Sequence, residues 1–335
     1  MNSARLGSAL DRNTLRGAVE LAARAPSIHN SQPWRWHIGE HSISLYADLH
    51  RWLPATDADG RDLVLSCGAV LHHLRIALAA YGIGATVHRL PNPDEPDHLA
   101  ALELRPGHAS DADLRMASAI PVRRSDRRAY RAWPVPQVFL DELAAAAAAQ
   151  GAALRVISDS RARTQVVRAI RAAAAAQAEV PGYDTELALW TGRHASADGV
   201  PAANLPSQPG GGLDTARRFR PGELAGAADS ATAEDARDHA ALLVLGATSD
   251  DPLSQLRAGE ALSAVLLLAT HSELATCPLS QPLEIGSTRR YLRDTVLGGT
   301  LCPQLVIRVG WAPAGPDLAA TPRRPLDDTI EPMPR

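Results

Sequence analysis

Apolar positions along this chain fall first at helical spacing and then in alternation, and the cycle runs twice. Leu15, Val19, Leu21 and Ala22 predict a helix over Thr14–Ala25, closed by Pro26. "WRWHIGEHSISLYAD" alternates on both sides of Gly39–Glu40 and reads as a hairpin. Leu63, Cys67, Val70, Leu71, Leu74 and Leu78 lie on one helical face that stops at Gly82 and Gly84. "ATVHRL" then reads as a strand, "PNPDEPDHLA" as a turn-rich loop and "ALELRP" as another strand. The second cycle places a helix at Phe139–Gln150, a strand at "ALRVIS" and a helix at Arg161–Ala178. "HAALLVLGAT" (strand), "RAGEALSAVLLLATHSEL" (helix) and "PQLVIRVGWAP" (strand) complete it.

Between the last two groups, residues 195–230 are full of Gly, Pro and Ser and lose all periodicity. A disordered linker and a long functional loop both have this composition. An ungapped internal echo pairs "GAVLHHLRIALAAYGIGAT" from Gly68 with "GEALSAVLLLATHSELATC" from Gly259. Ala-rich helices also align by chance, so the echo alone is weak evidence of duplication.

Composition narrows the class. At 335 residues, 45% hydrophobic and 21% charged, the chain can bury one large core or two modest ones. Every basic residue is Arg, and the formal charge of -3 singles out neither nucleic acid nor an anionic membrane as a partner. Any anion site must therefore use guanidinium forks. Cys67, Cys277 and Cys302 have no metal-ligand spacing and sit among apolar neighbours, as buried reduced thiols do. "MNSARLGSALDRN" lacks an apolar signal core, and the Ala264–Thr270 run is short for a bilayer. The expectation is a cytoplasmic protein without a membrane span.

Two stretches carry candidate chemistry. In "IPVRRSDRRAY", Arg123, Arg124, Arg127 and Arg128 surround Ser125, a donor set suited to a phosphate monoester, although taken alone the stretch reads better as a solvated loop. "TPRRPLDD" offers Arg323 and Arg324 between prolines. In "APSIHNSQPWRW", Ser27, Asn30 and Gln32 could meet the edge of a flat heterocycle, while Trp34 and Trp36 also suit a core strand. His29 is ambiguous. Nucleotide-loop, zincin and nucleophile-elbow motifs are missing, and adjacent His72 and His73 point apart on a helix.

"APSIHNSQPW" resembles the APSxxNxQPW signature of the nitroreductase-like flavoproteins, and "RRSDRRAY" resembles their opening RRSIRxF. In that family the Arg/Ser segment precedes the helix and loop, and two subunits share each FMN. Here the order is reversed, and only "QGAA" stands where the second half should carry the loop. The arrangement is similar to the actinobacterial Acg family, FMN-binding pseudo-dimers with a lid.

The resemblance implies an α+β nitroreductase-like fold of two tandem pseudo-repeats, each a mixed, mainly antiparallel sheet flanked by helices. The halves would be 1–118 and 119–335, the second with a lid-like insertion near 195–230 and a C-terminal arm. Arg123, Arg124, Ser125 and Arg127 would hold the phosphate and ribityl chain of one FMN, with Arg323 or Arg324 closing on the phosphate. Pro26, Ser27, Ile28 and Asn30 would line the ring, and Leu279, Ser280 and Gln281 would approach flavin N5. The implied activity is hydride transfer from NAD(P)H or another donor to nitro or quinone acceptors. The alternative is flavin storage under a lid that does not open. A monomer is feasible, because the fusion supplies the family's dimer interface.

Overall fold

The computed structural model describes residues 10–194, 196–207, 213–219, 221–224 and 238–332. Helix α1 (Arg12–Ala22) starts two residues before the predicted helix, because the Asp11 carboxylate accepts from the Asn13 and Thr14 amides. Strands β1 (Trp34–Ile38) and β2 (Ser42–Ala47) form the expected hairpin, helix α2 (Arg61–Ala80) follows, and β3 (Ile83–Arg89) and β4 (His98–Pro106) complete a sheet ordered β1-β2-β4-β3. Trp34 and Trp36 are fully buried in its core.

Helices α3 (Asp111–Ala119) and α4 (Gln137–Ala148) lead to strand β5 (Ala153–Ile157). Next come α5 (Ser160–Ala178), α6 (Tyr183–Trp190) and a short parallel pair, β6 (Thr191–Arg193) with β7 (Val200–Pro201). Strand β8 (Ala241–Ala247), helix α7 (Pro252–His271), β9 (Ala275–Leu279), α8 (Gln281–Glu284), α9 (Gly286–Thr295) and β10 (Cys302–Gly310) follow. The second sheet runs β5-β8-β10-β9, the same order as the first, and both are antiparallel throughout.

The two sheets meet through α2 and α7, which cross glycine on glycine. A Cβ on Gly68 would lie 2.9 Å from Gly259 Cα, and one on Gly259 would lie 2.8 Å from Gly68 Cα. The contact is reciprocal one turn earlier as well. Each added Cβ would strike a backbone carbonyl, that of Leu256 from Gly68 and that of Leu65 from Gly259. Leu65 of α2 packs in the second core and Leu256 of α7 in the first. His72 and His73 both meet Ser263 Oγ through Nδ1 at 2.7 Å.

Helix α2 is long and apolar enough to cross a membrane by composition, but 72% of its apolar window is buried inside the protein. Burial of this kind marks a core helix. The C-terminal arm returns to the first sheet, where the Trp36 amide donates to Thr329 O and the Glu331 amide to Trp36 O. It covers the exposed edge of β1, which would otherwise present unpaired backbone groups. Cys67 and Cys277 are buried as expected, whereas Cys302 is half-exposed at the start of β10.

Candidate functional site

The loop between α1 and β1 is the most strained backbone in the described residues. His29, Asn30 and Gln32 all have positive φ (45°, 55° and 51°). Such conformations cost roughly 1–3 kcal/mol each for residues other than glycine and persist only where the surroundings impose them. The imposing contacts are visible: Ser27 Oγ accepts from the Gln32 amide at 2.9 Å, and Ser66 Oγ of α2 accepts from the Ile28 amide at 3.1 Å.

This loop forms one wall of a cavity with a water-accessible volume of about 110 Å³. Pro26, Ser27, Ile28 and His29 face Ser125 and Arg127 across it. Leu279 and Ser280 at the end of β9 form another wall, and Asp62, Leu65 and Ser66 of α2 a third. Seven of the thirteen residues expected from the sequence thus converge.

The segment carrying Ser125 and Arg127 is fixed by its alternate residues. The Asp126 amide donates to Thr276 O of β9, and Asp126 and Arg128 form an ion pair at 2.7 Å. The Tyr130 hydroxyl donates to Asp126 O, and Arg308 of β10 holds Arg128 O at 2.9 Å and Asp238 at 2.8 Å. Arg127 is left facing the cavity, over the Phe219 ring at 5.4 Å and donating to Asn204 O. Burial lowers its pKa, though a guanidinium stays charged.

The other six expected residues lie elsewhere. Asn30 is a clamp: its Nδ2 donates to Gly199 O at 3.0 Å and Pro322 O at 3.1 Å, joining the loop to two distant segments. Gln281 turns away from this cavity toward a second one, and its Nε2 donates to Gln177 Oε1. Arg324 sits beside Asp48 and binds Gln32 O and Asp328 O.

Arg123, Arg124 and Arg323 form a separate group with Arg24 just upstream of Pro26. Arg323 donates to the carbonyls of Ala23, Arg24 and Ala25. Burial, followed by the positive charges of Arg123, Arg24 and Arg124, pushes its pKa down to about 9. Arg123 is 5% exposed, its Nε and Nη1 have no partner among the described residues, and burial brings its pKa down to about 10. Arg124 donates to the carbonyls of Leu318, Pro121 and Arg123. Arg123, a buried cation with unused donors and no bonded carboxylate among the described residues, is suited to hold an anion.

Sequence pattern leaves His29 ambiguous and does not single out Asp62, Arg217 or Phe219, which also line the cavity. His29 is buried at the cavity wall with Nε2 unpartnered, and burial plus Arg217 and Arg127 hold it well below the ordinary histidine pKa. It is therefore neutral. Phe219 stands edge-on to it at 6.0 Å. Arg217 is buried in an ion pair with Glu284 and donates to the Tyr183 hydroxyl at 2.7 Å. Arg217 and Phe219, in the "RRFR" stretch of an aperiodic segment, carry no local signal of this.

The chain is similar over its length to Mycobacterium tuberculosis (strain H37Rv) proteins. It is 44% identical over 322 residues to "Putative NAD(P)H nitroreductase Rv3131", covering 96% of this chain and 92% of that one. It is 38% identical over 320 residues to "Putative NAD(P)H nitroreductase acg", covering 95% of each. The chain belongs to the Acg family of nitroreductase-like proteins. No family model matches it. Among solved structures it is similar to the FMN and NADPH-dependent nitroreductase NfnB from a sphigopyxis strain, at 20% identity and a TM-score of 0.39 over 64% of this chain and 97% of that one.

Within this Acg-family chain, both segments that carried the resemblance reach one place. "APSIHNSQPW" supplies the strained wall, and "RRSDRRAY" supplies the facing wall together with the arginine group beside it.

Proposed function

We propose that this chain is an FMN-dependent oxidoreductase that passes a hydride from NAD(P)H to nitro- or quinone-type acceptors. The observation that carries the reading is the Arg24–Arg123–Arg124–Arg323 group, in which buried Arg123 has unused guanidinium donors. It lies next in sequence to both walls of the cavity, where a phosphate tail would continue from a bound ring. Arg123 and Arg323 would hold the phosphate, Ser125 and Arg127 the ribityl chain and ring edge, and Pro26–Ile28 with Leu279 and Ser280 would border the ring. Bound FMN would supply the N5 centre that accepts and returns the hydride.

The same reading takes 1–118 and 119–335 as fused copies of one unit, with one composite site and no need for a second chain. Identical strand order and the reciprocal α2–α7 crossing support it. Of the described part of the 195–230 insertion (196–207, 213–219 and 221–224), residues 213–219 line the cavity through Phe219 and Arg217. Residues 195, 208–212, 220 and 225–230 lie outside the described residues.

That cover favours one further reading. A cavity of about 110 Å³ is below the roughly 300 Å³ at which ligand pockets begin, so residues 213–219 must give way before a flavin enters. If they never reopen, the protein stores flavin. One experiment separates the readings: purify the protein, identify any released flavin, and add NADH or NADPH anaerobically. Bleaching of the flavin bands supports turnover. A yellow protein that refuses both donors supports storage, and a chain that cannot be loaded with FMN overturns both.

A further inference from the structure

Asp62 is the second residue of α2, 3% exposed, and lies on the cavity wall. Its Oδ2 is buried without a hydrogen-bond partner among the described residues. Three carboxyl groups crowd here: Asp57 from the turn before α2, Asp62 itself, and Glu284 of α8. Two guanidiniums face them, and both bond groups other than Asp62, although Arg61 Nη1 is buried without a partner among the described residues. Arg217 is ion-paired with Glu284, and Arg61 donates to Asp250 and Gln304. Asp57 uses its two oxygens on the Asp62 and Leu63 amides, at 3.0 Å and 2.9 Å.

Asp62 alone of the three has neither an ion-pair partner nor backbone donors on Oδ2. An ionised carboxylate in that position would stand buried and uncompensated, at a cost that ordinarily forces neutralisation. Burial and the Asp57 and Glu284 charges act together to hold its pKa well above the usual carboxylate range, against Arg61 and Arg217. His29, on the loop wall of the same cavity, is held neutral by burial and by the charges of Arg217 and Arg127. Asp62 is therefore the carboxyl on this cavity whose surroundings favour its protonated form.

We propose that Asp62 is a catalytic general acid, giving its proton to the acceptor oxygen that turns anionic as the acceptor receives a hydride. With a quinone, the hydride goes to one oxygen. The Asp62 O–H bond breaks, its electron pair stays on the carboxylate, and a new O–H bond forms at the second oxygen. Quinone, hydride and proton give hydroquinone, NAD(P)H is the two-electron reductant, and water returns the proton to Asp62. The proposal rests on the oxidoreductase reading above and adds to it a proton source inside the covered cavity.

The test compares wild type with Asp62→Asn and Asp62→Glu. Infrared difference spectra of the purified protein, titrated from neutral to alkaline pH, should show a protonated-carboxyl band in wild type that Asp62→Asn lacks. If the two spectra match, Asp62 is not the neutral acid and the proposal fails. This arm needs no turnover, so it stands even if FMN does not load and the oxidoreductase reading falls. In the loaded enzyme, Asp62→Asn should keep its flavin but lose quinone turnover by about 10²-fold, the lower range for general acid catalysis. The fall in wild-type rate at high pH should vanish in Asp62→Asn, and Asp62→Glu should restore part of both. Asp62→Asn turnover within twofold of wild type, with the pH profile kept, overturns the assignment.

Discussion

Gly68 of α2 and Gly259 of α7 each occupy the space in which the other's Cβ would stand. Both helices have 20 residues, and Leu65 and Leu256 reach past the crossing into the opposite core. Gly68→Ala gains up to about 1 kcal/mol of helix propensity. It must also push α7 away from a backbone carbonyl, an overpacking cost of about 1–3 kcal/mol or more. The expected net result is a loss of about 1–2 kcal/mol in urea denaturation, with Gly259→Ala matching it within error. A more stable Gly68→Ala protein would contradict the close crossing.

Arg123 illustrates a conflict between stability and binding. Its Nε and Nη1 are buried without partners, so the flavin-free protein bears the desolvation of a cation. Arg123→Met should raise the melting temperature of the flavin-free protein. The same change should weaken FMN binding by roughly 10–100-fold, the value of about 1.5–3 kcal/mol for a lost charged hydrogen bond. Calorimetry on the stripped protein and fluorescence titration with FMN read the two effects separately. Unchanged FMN affinity would move the phosphate elsewhere.

Phe219 touches His29 by its ring edge and lies beneath the Arg127 guanidinium. Phe219→Ala removes that plug without disturbing the Arg217–Glu284 ion pair that holds the segment. Flavin release should quicken at least several-fold while the global melting temperature falls little. Release at the wild-type rate would show that residues 213–219 do not control exchange.

Asp57 sets a pH dependence. Burial, more than its two backbone hydrogen bonds, raises its pKa from 3.8 to about 6. The folded state therefore takes up its proton before the unfolded state does as pH falls. Its destabilising contribution is complete above about pH 6 and disappears as pH falls toward 3.8. A shift of about two units corresponds to about 3 kcal/mol at most. Asp57→Asn should be least stable relative to wild type near pH 4 and should gain relative stability as pH rises to 7. Parallel stability curves across that window would exclude a titrating Asp57.

Local pattern was enough for most of the scaffold, because α1, α2, α4, α5 and α7 and the hairpin strands each carry a one-sided or alternating apolar face. Helices α6 and α9 were missed because each buries only two side chains, Tyr183 with Leu187 and Thr288 with Leu292. So short an apolar stripe does not stand out from polar neighbours. At the site, the two motifs drew attention to two segments that both line the cavity. They could not separate Arg323, which joins the arginine group, from the adjacent Arg324, which pairs with Asp48. Nor could they show that Asn30 clamps two carbonyls from residues 199 and 322.

By itself, then, the sequence determined the long helices, most strands, the repeated cycle and the two segments that line the cavity. These follow from side-chain periodicity and from motifs that are contiguous in the chain. Only the tertiary structure decided which groups face one another. It brought Asp62 beside Glu284 across more than two hundred residues, left Arg123 with unused donors, and laid Phe219 over His29. The physical reason is that desolvation, charge crowding and missing partners are properties of a packed neighbourhood and have no signature in neighbouring letters.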